Sequence, residues 1–356
     1  MGWCLRAGTY QTVTIGQTVN YRRQVGIIHA HQQSSEAGGP AGRGFDRRAI
    51  PAGAIEDWWT ASDGHRVRRI DWPAPAAAAP RGSLLFLPGR GDEYEKYLET
   101  LEHWHRRGWR VTGADWRGQG GSGRFGADPL TGHIEDFAVW VDDLVALWAG
   151  WRATYPGPHV LAAHSMGGHL ALRAVVEGRI APDALVLSAP MLGFIGRAPN
   201  GVMHPLARLV ARLGDPRRPA WKWSEKPGER AAFRGRLLTH DAERYADEQW
   251  WREARPELAM GPGSWRWVER AYASMRALER RGVLERVTVP IIILAAIHDG
   301  LVGFRAIERA AARLPNARLV RFGPEARHEI LREADPVRDA ALRAVDAFLD
   351  EVLPPA

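Results

Sequence analysis

The sequence predicts an α/β fold in which a mostly parallel central sheet carries helices on both faces. Short runs of consecutive apolar residues, typical of strands buried on both sides, alternate along the chain with segments of amphipathic helical spacing. The 356 residues are 45% hydrophobic, which is enough for a large core. In such a sheet, functional side chains are expected in the loops that follow the carboxyl ends of the strands.

The predicted elements begin near residue 55. A turn at 62–64 separates the first two strands, and a loop of alanine and proline over 73–80 precedes the third. The predicted strands are 55–59, 65–72, 83–88, 109–114, 159–163, 184–188, 289–295 and 317–322. Apolar residues spaced by three and four predict helices over about 94–104, 137–151, 304–314 and 336–353, besides one directly after the strand 159–163.

Between residues 191 and 285 the alternation stops and the pattern is helical. One helix carries an apolar face: Val202, Met203, Leu206, Leu209, Val210 and Leu213. A second helix begins after Ser264, a predicted N-cap. The segment 191–285 is therefore predicted to be a helical cap inserted into a core made of 46–190 and 286–356. Residues 1–45 show no periodicity and are predicted to be a disordered N-terminal tail.

Charge and composition exclude several classes of protein. The formal net charge is +7, and apart from Lys96, Lys222 and Lys226 the cations are arginines scattered among acids. Because no block of five or six like charges occurs, nucleic-acid binding is not expected. No apolar run approaches the ~20 residues of a membrane span, and the polar N-terminus lacks the layout of a secretory signal. With Cys4 as the single cysteine, the expected location is the cytoplasm, with transient contact at the inner-membrane surface.

A serine between small residues follows one predicted strand. The sequence AHSMGG over residues 163–168 places Ser165 on a sharp strand-to-helix turn, where its hydroxyl is lifted clear of the sheet. The expected motif is G-x-S-x-G, and Ala163 replaces its first glycine. Small residues on either side allow strand and helix to approach closely. By itself this pattern is also compatible with an ordinary turn.

Two further side chains occupy the positions that a nucleophilic serine requires. A serine hydroxyl needs a base to remove its proton, and the base needs a third group to orient it. Asp299 follows the strand 289–295, and His328 lies on the loop beyond the strand 317–322. The order serine, acid, histidine is the one expected for this fold type. Alone, Asp299 is compatible with a turn and His328 with a solvated loop.

Acyl transfer also requires two amide donors for the developing oxyanion. The N–H of Met166, at a helix N-terminus, is expected to be one donor, and the N–H of Arg90, between Gly89 and Gly91, the other. His164 is expected to point away from the serine. None of the remaining histidines has metal-ligand spacing with a carboxylate, so neither a metal nor a cofactor is predicted.

Taken together, the chain resembles the α/β-hydrolase superfamily, and within it the monoacylglycerol lipase and lysophospholipase group of bacterial serine hydrolases. The resemblance covers about residues 50–353 and rests on the motifs LPGRGDE (87–93), DWRGQGGSG (115–123), AHSMGG (163–168), DGLV (299–302) and RHE (327–329). It implies Ser165 as nucleophile, Asp299 as acid and His328 as base, with Arg90 and Met166 supplying the oxyanion amides.

The resemblance has one departure and one variable part. Members of the group often carry His-Gly where this chain has Pro88-Gly89, so the oxyanion loop is expected to differ in detail. The helical insertion would be the cap of the family, which shapes the acyl site and varies most among its members. The glycine-rich stretch 115–123 lacks the lysine and spacing of a phosphate-binding loop, and a packing role beside the site is expected for it.

The predicted activity is serine ester hydrolysis, with a lysophospholipid or a monoacylglycerol as the expected substrate. The predicted cap contains six tryptophans: Trp221, Trp223, Trp250, Trp251, Trp265 and Trp267. They either line an acyl channel or belong to the packed core, and Gly89, Trp265 and Trp267 are the predicted substrate-binding residues. Two alternatives stay open: a carboxylesterase for short soluble esters, and a hydrolase-like binding protein without catalysis.

Overall fold

The computed structural model describes residues 25–27, 45–76, 80–196, 200–221 and 229–354. In chain order its strands are β1 (Val25–Ile27), β2 (Ile55–Thr60), β3 (Arg66–Trp72), β4 (Gly82–Leu87), β5 (Trp109–Ala114), β6 (His159–His164), β7 (Ala184–Ser188), β8 (Ile291–Ala296) and β9 (Ala317–Phe322). The helices are α1 (Leu98–Arg106), α2 (Phe137–Thr154), α3 (Ser165–Val176), α4 (Asn200–Arg212), α5 (Glu229–Leu238), α6 (Ala242–Ala254), α7 (Trp265–Glu279), α8 (Phe304–Arg313) and α9 (Asp335–Val352). A 3₁₀ turn, Tyr94–Tyr97, leads into α1.

Within the described residues the strands form a single sheet in the order β1-β9-β8-β7-β6-β4-β5-β3-β2. All neighbouring pairs are parallel except β3 with β5 and β2 with β3. Every residue of β4, β7 and β8 is buried, because these strands lie inside the sheet and helices cover both faces. The predicted fold class is confirmed.

The edge strand β1 departs from the sequence-based expectation for the first 45 residues. Residues 25–27 pair in parallel with β9, from Val25 beside Leu319 to Ile27 beside Arg321. Three residues are too few to show the two-residue alternation by which a strand is recognised. The rest of the predicted tail lies outside the described residues, apart from Phe45.

In the described part of the chain, the α-helices between β7 and β8 are α4 to α7, where the alternation of strand and helix stops. Helix α7 begins as predicted, because the Ser264 side chain accepts a hydrogen bond from the Trp267 N–H at 3.0 Å. The apolar residues of α4 divide between two directions. Val202 and Leu209 are more than half exposed, whereas Ala207 is buried.

No helix among the described residues combines the length and the apolar character that a membrane crossing requires.

Candidate active site

Ser165 lies at the sharp turn between β6 and α3. Its backbone has φ of 51°, in the left-handed region that a residue with a side chain rarely adopts, so the turn is strained. The first turn of α3 approaches the loop after β4 closely, which explains the glycine two positions later. A Cβ on Gly167 would come within 2.4 Å of the Pro88 carbonyl oxygen. The strained turn holds the Ser165 hydroxyl above the end of the central strand.

The two partners expected for the serine form a row of hydrogen bonds with it, in which the histidine lies between the serine and the aspartate. His328 Nε2 is 2.9 Å from Ser165 Oγ, and His328 Nδ1 is 2.7 Å from Asp299 Oδ2. The other Asp299 oxygen accepts the backbone N–H groups of Leu301 at 2.7 Å and Val302 at 3.0 Å. These bonds leave the Asp299 carboxylate one orientation, and it in turn fixes the imidazole with Nε2 toward the serine.

The electrostatic interaction between Asp299 and His328 favours an ionised carboxylate and a more basic imidazole. Burial works to raise the pKa of Asp299, but the facing His328 and the bonds to the carboxylate hold it below its ordinary value. Burial works to lower the pKa of His328, but the charge and hydrogen bond of Asp299 hold it above its ordinary value. An imidazole in this setting is a stronger base than a solvated one and can take the serine proton.

The loop after β4 brings backbone amides close to the serine. The Gly89 N–H donates to Asp92 Oδ2 at 3.1 Å, and the Gly91 N–H donates to Gln119 Oε1 at 2.7 Å. The Arg90 amide lies between these two fixed amides, and the Met166 amide is in the first turn of α3.

Gly89 lies against Ser165, where a Cβ on the glycine would be 3.1 Å from the serine Cβ. Its contact with substrate stays a prediction. Gly89 packs beneath the serine and is not among the described residues that line the cavity.

The glycine-rich stretch 115–123 packs against this loop, in line with the packing role expected for it. Gln119 binds Gly91, and the Trp116 indole donates to the Pro88 carbonyl at 2.8 Å. Asp115 is buried and pairs with Arg68 at 3.0 Å. The stretch thereby fixes the loop that carries Arg90.

A cavity of about 660 Å³ opens beside Ser165 and His328. Its wall is mostly apolar and comes largely from α4, α7 and the segments beside them: Met191, Phe194, Met203, Leu206, Val210, Trp221, Trp265, Trp267, Val268 and Tyr272. A cavity of this size and character is typical of a small-molecule site. Trp265 and Trp267 both line it, and their contact with substrate stays a prediction.

The other tryptophans of the insertion have different positions. Trp221 lines the cavity, whereas Trp250 and Trp251 pack against each other with ring centroids 5.0 Å apart and are not among its described lining residues. The Trp251 indole donates to the Arg47 carbonyl at 2.9 Å. Trp223 lies outside the described residues. Thus some of these side chains belong to the cavity and others to the packed interior.

Behind the cavity lies a buried group of charges around Lys96. Its ammonium is 2.5 Å from Asp92 Oδ1, 2.9 Å from Glu248 Oε2 and 2.7 Å from Glu329 Oε1. We call these four residues, with Arg332 bound to Glu329, the Lys96 cluster. Burial works to lower the pKa of Lys96, but the three carboxylates raise it, so the ammonium stays charged.

The Lys96 cluster connects three parts of the site. Asp92 holds the Gly89 amide, Glu329 directly follows His328, and Glu248 comes from α6. The sequence-based prediction missed the cluster. Its one signal in the sequence is the charge-rich run 92–96 next to the oxyanion loop, and such runs normally belong to exposed surface.

His164 also differs from expectation. The sequence predicts that it points away from the serine, but it lines the cavity, with its ring centroid 4.7 Å from that of His328. His164 is still extended, but Ser165 has a left-handed backbone, so the strand alternation that would place the two side chains on opposite sides stops between them. Burial and the neighbouring His328 lower the pKa of His164 to about 4, so this imidazole is neutral at physiological pH.

Asp92, His164 and Glu329 are the described residues whose donor atoms come near enough to hold a metal, all within 4.8 Å of one another. The Lys96 ammonium already lies between the two carboxylates, at hydrogen-bond distance from both. A divalent cation there would have to displace a buried lysine and face its charge. The donor set therefore does not fit a resident metal.

Three comparisons place the chain among known proteins. The family described as "Serine aminopeptidase, S33" matches residues 78–335. The chain is similar to lysophospholipase L2 of Escherichia coli (strain K12), 30% identical over 328 residues that cover 85% of this chain and 92% of that protein. It is also 28% identical to the probable lysophospholipase L2 of Haemophilus influenzae, over 77% of this chain and 85% of that protein.

Among solved structures, the fold is similar to a monoglyceride lipase from Saccharomyces cerevisiae in complex with a substrate analogue. The TM-score is 0.69 at 18% identity, covering 88% of this chain and 100% of the other. A monoacylglycerol lipase from Paleococcus ferrophilus has a TM-score of 0.60 at 19% identity, covering 80% of this chain and 99% of the other. At these identities the likeness concerns the fold.

Proposed function

The chain belongs to the serine aminopeptidase S33 family, and from that premise we propose that Ser165 attacks the ester carbonyl of a monoacyl lipid, with His328 as base and Asp299 as its orienting acid. The chain is a serine ester hydrolase of the lysophospholipase or monoacylglycerol lipase type. The observation that carries the assignment of residues is the pair of hydrogen bonds from His328, to Ser165 at 2.9 Å and to Asp299 at 2.7 Å.

The proton moves along that chain of contacts. His328 Nε2 accepts the proton of Ser165 as Oγ bonds to the ester carbon, and then gives it to the departing alcohol oxygen. Water, deprotonated by the same nitrogen, hydrolyses the acyl-enzyme and frees the fatty acid. The Met166 and Arg90 amides stabilise the oxyanion in both steps, and each such donor contributes on the order of 3 kcal/mol.

The shape and chemistry of the cavity support a substrate with one long acyl chain. Its wall is built chiefly from aliphatic and aromatic side chains, beginning at Ser165 and extending under α4 and α7. Burying an alkyl chain there contributes roughly 0.8 kcal/mol per methylene, which a short ester cannot obtain.

In this proposal the insertion 191–285 is a cap over the site, and the core comprises 46–190 and 286–356.

An aminopeptidase activity, which the family description suggests, has little support at this site. A free α-ammonium group would need an available carboxylate near the serine. Among the described lining residues the acids are Asp92 and Glu329, and both bind Lys96. The cavity also contains the cations Arg90 and Arg234, which would repel an ammonium group.

Transient contact with a lipid surface is the second element of the proposal. On α4, Val202 and Leu209 are more than half exposed, while Met203 and Val210 of the same helix line the cavity. An apolar helix face beside the cavity can enter the boundary of a bilayer, where a single-chain lipid would pass to the site. No nucleic-acid partner is proposed, because the arginines are scattered among acids along the sequence.

A panel of esters beside a covalent probe tests the function. A fluorophosphonate should label the wild type at Ser165 with loss of fluoride, and Ser165→Ala should not react. Palmitoyl lysophospholipid and monopalmitoylglycerol should be cleaved with higher kcat/KM than butyrate esters. A marked preference for butyrate would favour the carboxylesterase alternative, and a folded wild type that neither reacts nor hydrolyses would favour the binding protein.

A further inference from the structure

Arg90 has a side chain whose position the oxyanion amide does not explain. Its guanidinium lies over the rings of Trp221 and Trp267, 5.1 Å from each centroid, and Nη2 donates to the Gly261 carbonyl at 2.5 Å. The side chain lines the same cavity as Ser165 and His328. Two aromatic faces and a carbonyl therefore hold a cation at a fixed place in a mostly apolar pocket.

The charge of this guanidinium is poorly compensated. Arg90 Nε is buried and has no hydrogen-bond partner within the described residues. Burial of the guanidinium is the largest cause that lowers its pKa, and the nearby cation Arg234 is the next. Together they lower the pKa of Arg90 to about 9. Asp92 acts in the opposite direction but already binds Lys96. At neutral pH Arg90 remains charged, and withdrawing such a charge from water without an anion is costly.

An anion entering the cavity would supply what these contacts lack. We propose that the Arg90 guanidinium is an anion subsite that binds the phosphodiester of a lysophospholipid head group, so that the enzyme prefers lysophospholipids to neutral monoacylglycerols. This rests on the proposed function, since it assigns a head group to the same ester site. Guanidinium donors match phosphate oxygens in geometry, and charge-assisted bonds of this kind are the strong ones.

The connectivity of the substrate agrees with the placement of the two groups on one residue. The Arg90 backbone amide faces the ester carbonyl in the proposed mechanism, and its guanidinium ends beside Trp221, Trp267 and the Gly261 carbonyl. In a 1-acyl lysophospholipid the three glycerol carbons separate the ester from the phosphodiester. One residue can therefore contact both ends of the glycerol, whereas a monoacylglycerol offers the guanidinium only hydroxyl groups.

The test compares two substrates that share a palmitoyl chain, 1-palmitoyl lysophosphatidylcholine and 1-monopalmitoylglycerol, both below their aggregation thresholds. The ratio of their kcat/KM values should favour the phospholipid in the wild type and fall about 10- to 100-fold in Arg90→Met, the range of a charge-assisted bond to a buried group. The change should appear mainly in KM, because the head group is bound in ground state and transition state alike.

A second variant and an uncleavable pair of ligands complete the design. Arg90→Gln removes the charge but can still donate to the Gly261 carbonyl, so it covers a failure of Arg90→Met to fold. Inhibition by the ether analogues 1-O-hexadecyl lysophosphocholine and 1-O-hexadecylglycerol should show the same loss of preference. Arg208→Met, an exposed arginine of α4 outside the cavity lining, should leave the ratio unchanged.

The outcomes separate the subsite from the function. A ratio that stays the same in Arg90→Met and Arg90→Gln, with equal losses on both substrates, overturns the anion subsite while ester hydrolysis stands. Failure of the wild type to cleave either lipid would instead overturn the proposed function.

Discussion

The two walls of the active-site cavity have opposite chemistry. The wall from α4 and α7 is aliphatic and aromatic, and part of it is open to solvent. The wall on the other side of the triad is backed by the Lys96 cluster, in which a buried ammonium joins three carboxylates from separate parts of the chain. Residues of both walls line the same cavity as Ser165.

This difference separates the positioning of the catalytic groups from the selection of substrate. Asp92 and Glu329 tie the oxyanion loop and the histidine loop to one lysine, so a change in the cluster should disturb geometry and stability together. The aliphatic and aromatic side chains that line the apolar wall form no ion pairs within the described residues, and they can be exchanged at the cost of area and shape. We therefore expect large, general effects from the charged wall and smaller, substrate-dependent effects from the apolar wall.

The largest effect is expected at the residue that both walls share. Ser165→Ala removes the atom that forms the acyl-enzyme, and kcat should fall by about 10⁴-fold or more on every ester, long or short. Initial rates on palmitoyl and butyryl esters measure it, with thermal unfolding to verify the fold. A variant that retains a tenth of the activity would show that another group is the nucleophile.

On the charged wall, Lys96→Met should destabilise the whole protein. It leaves Asp92, Glu248 and Glu329 buried without their common cation, and breaking a buried ion pair in this way costs about 3–5 kcal/mol of the free energy of unfolding. Denaturant unfolding measures the loss. Adding Glu329→Gln to Lys96→Met should recover part of it, because one of the three buried carboxylates that share the lost ammonium becomes neutral, and Arg332 then faces less excess negative charge.

The matched change is Val202→Ser on the outer face of α4, behind the apolar wall. At this exposed position it should alter the free energy of unfolding by no more than ~0.5 kcal/mol. Equal stability losses in Lys96→Met and Val202→Ser would contradict the distinction between the two walls.

The same contrast explains what the sequence could predict. Local patterns place the elements well, and β5 and β9 have the predicted limits of 109–114 and 317–322. Ser165, Asp299 and His328 could be assigned because each follows a strand, and parallel strands end at one edge of the sheet. Those inferences need only the order of elements along the chain.

The Lys96 cluster needs information that no local pattern contains. Lys96 and Glu329 are 233 positions apart, and each would ordinarily be expected at the surface. The apolar face of α4 shows a related limit. Helical spacing predicts that Leu206 and Leu209 share a face, but it does not reveal that Leu206 borders the cavity and Leu209 does not, although both are more than half exposed. Burial on that helix depends on tertiary packing.

The pH dependence of kcat/KM should report the pKa of His328 and its interaction with Asp299. Protonated His328 cannot accept the serine proton, so kcat/KM should fall about tenfold per pH unit below the His328 pKa. Since Asp299 raises that pKa, the midpoint should lie above 6.5 in the wild type and move to lower pH in Asp299→Asn. His164, with a pKa of about 4, stays neutral across this range.

The raised pKa of His328 also determines in which direction the free energy of unfolding changes with pH. Folding raises the His328 pKa above its unfolded value, so the imidazolium contributes stability that is fully present below about pH 6.5 and is lost as pH rises through the folded value. Denaturant unfolding across this pH range measures the linkage. A midpoint of activity that is the same in the wild type and Asp299→Asn would contradict the pairing.

The smallest effect is expected on the outer face of the apolar wall, and it should depend on the state of the substrate. Val202→Ser combined with Leu209→Ser changes two exposed residues that do not line the cavity, so hydrolysis of a dissolved butyrate ester should stay within twofold. Hydrolysis of palmitoyl lysophospholipid carried in anionic vesicles should fall several-fold, because less apolar area enters the bilayer boundary. Co-sedimentation with the same vesicles gives an independent measure. If both substrates respond alike, the outer face of α4 acts through the fold, and delivery of lipid to Ser165 proceeds without it.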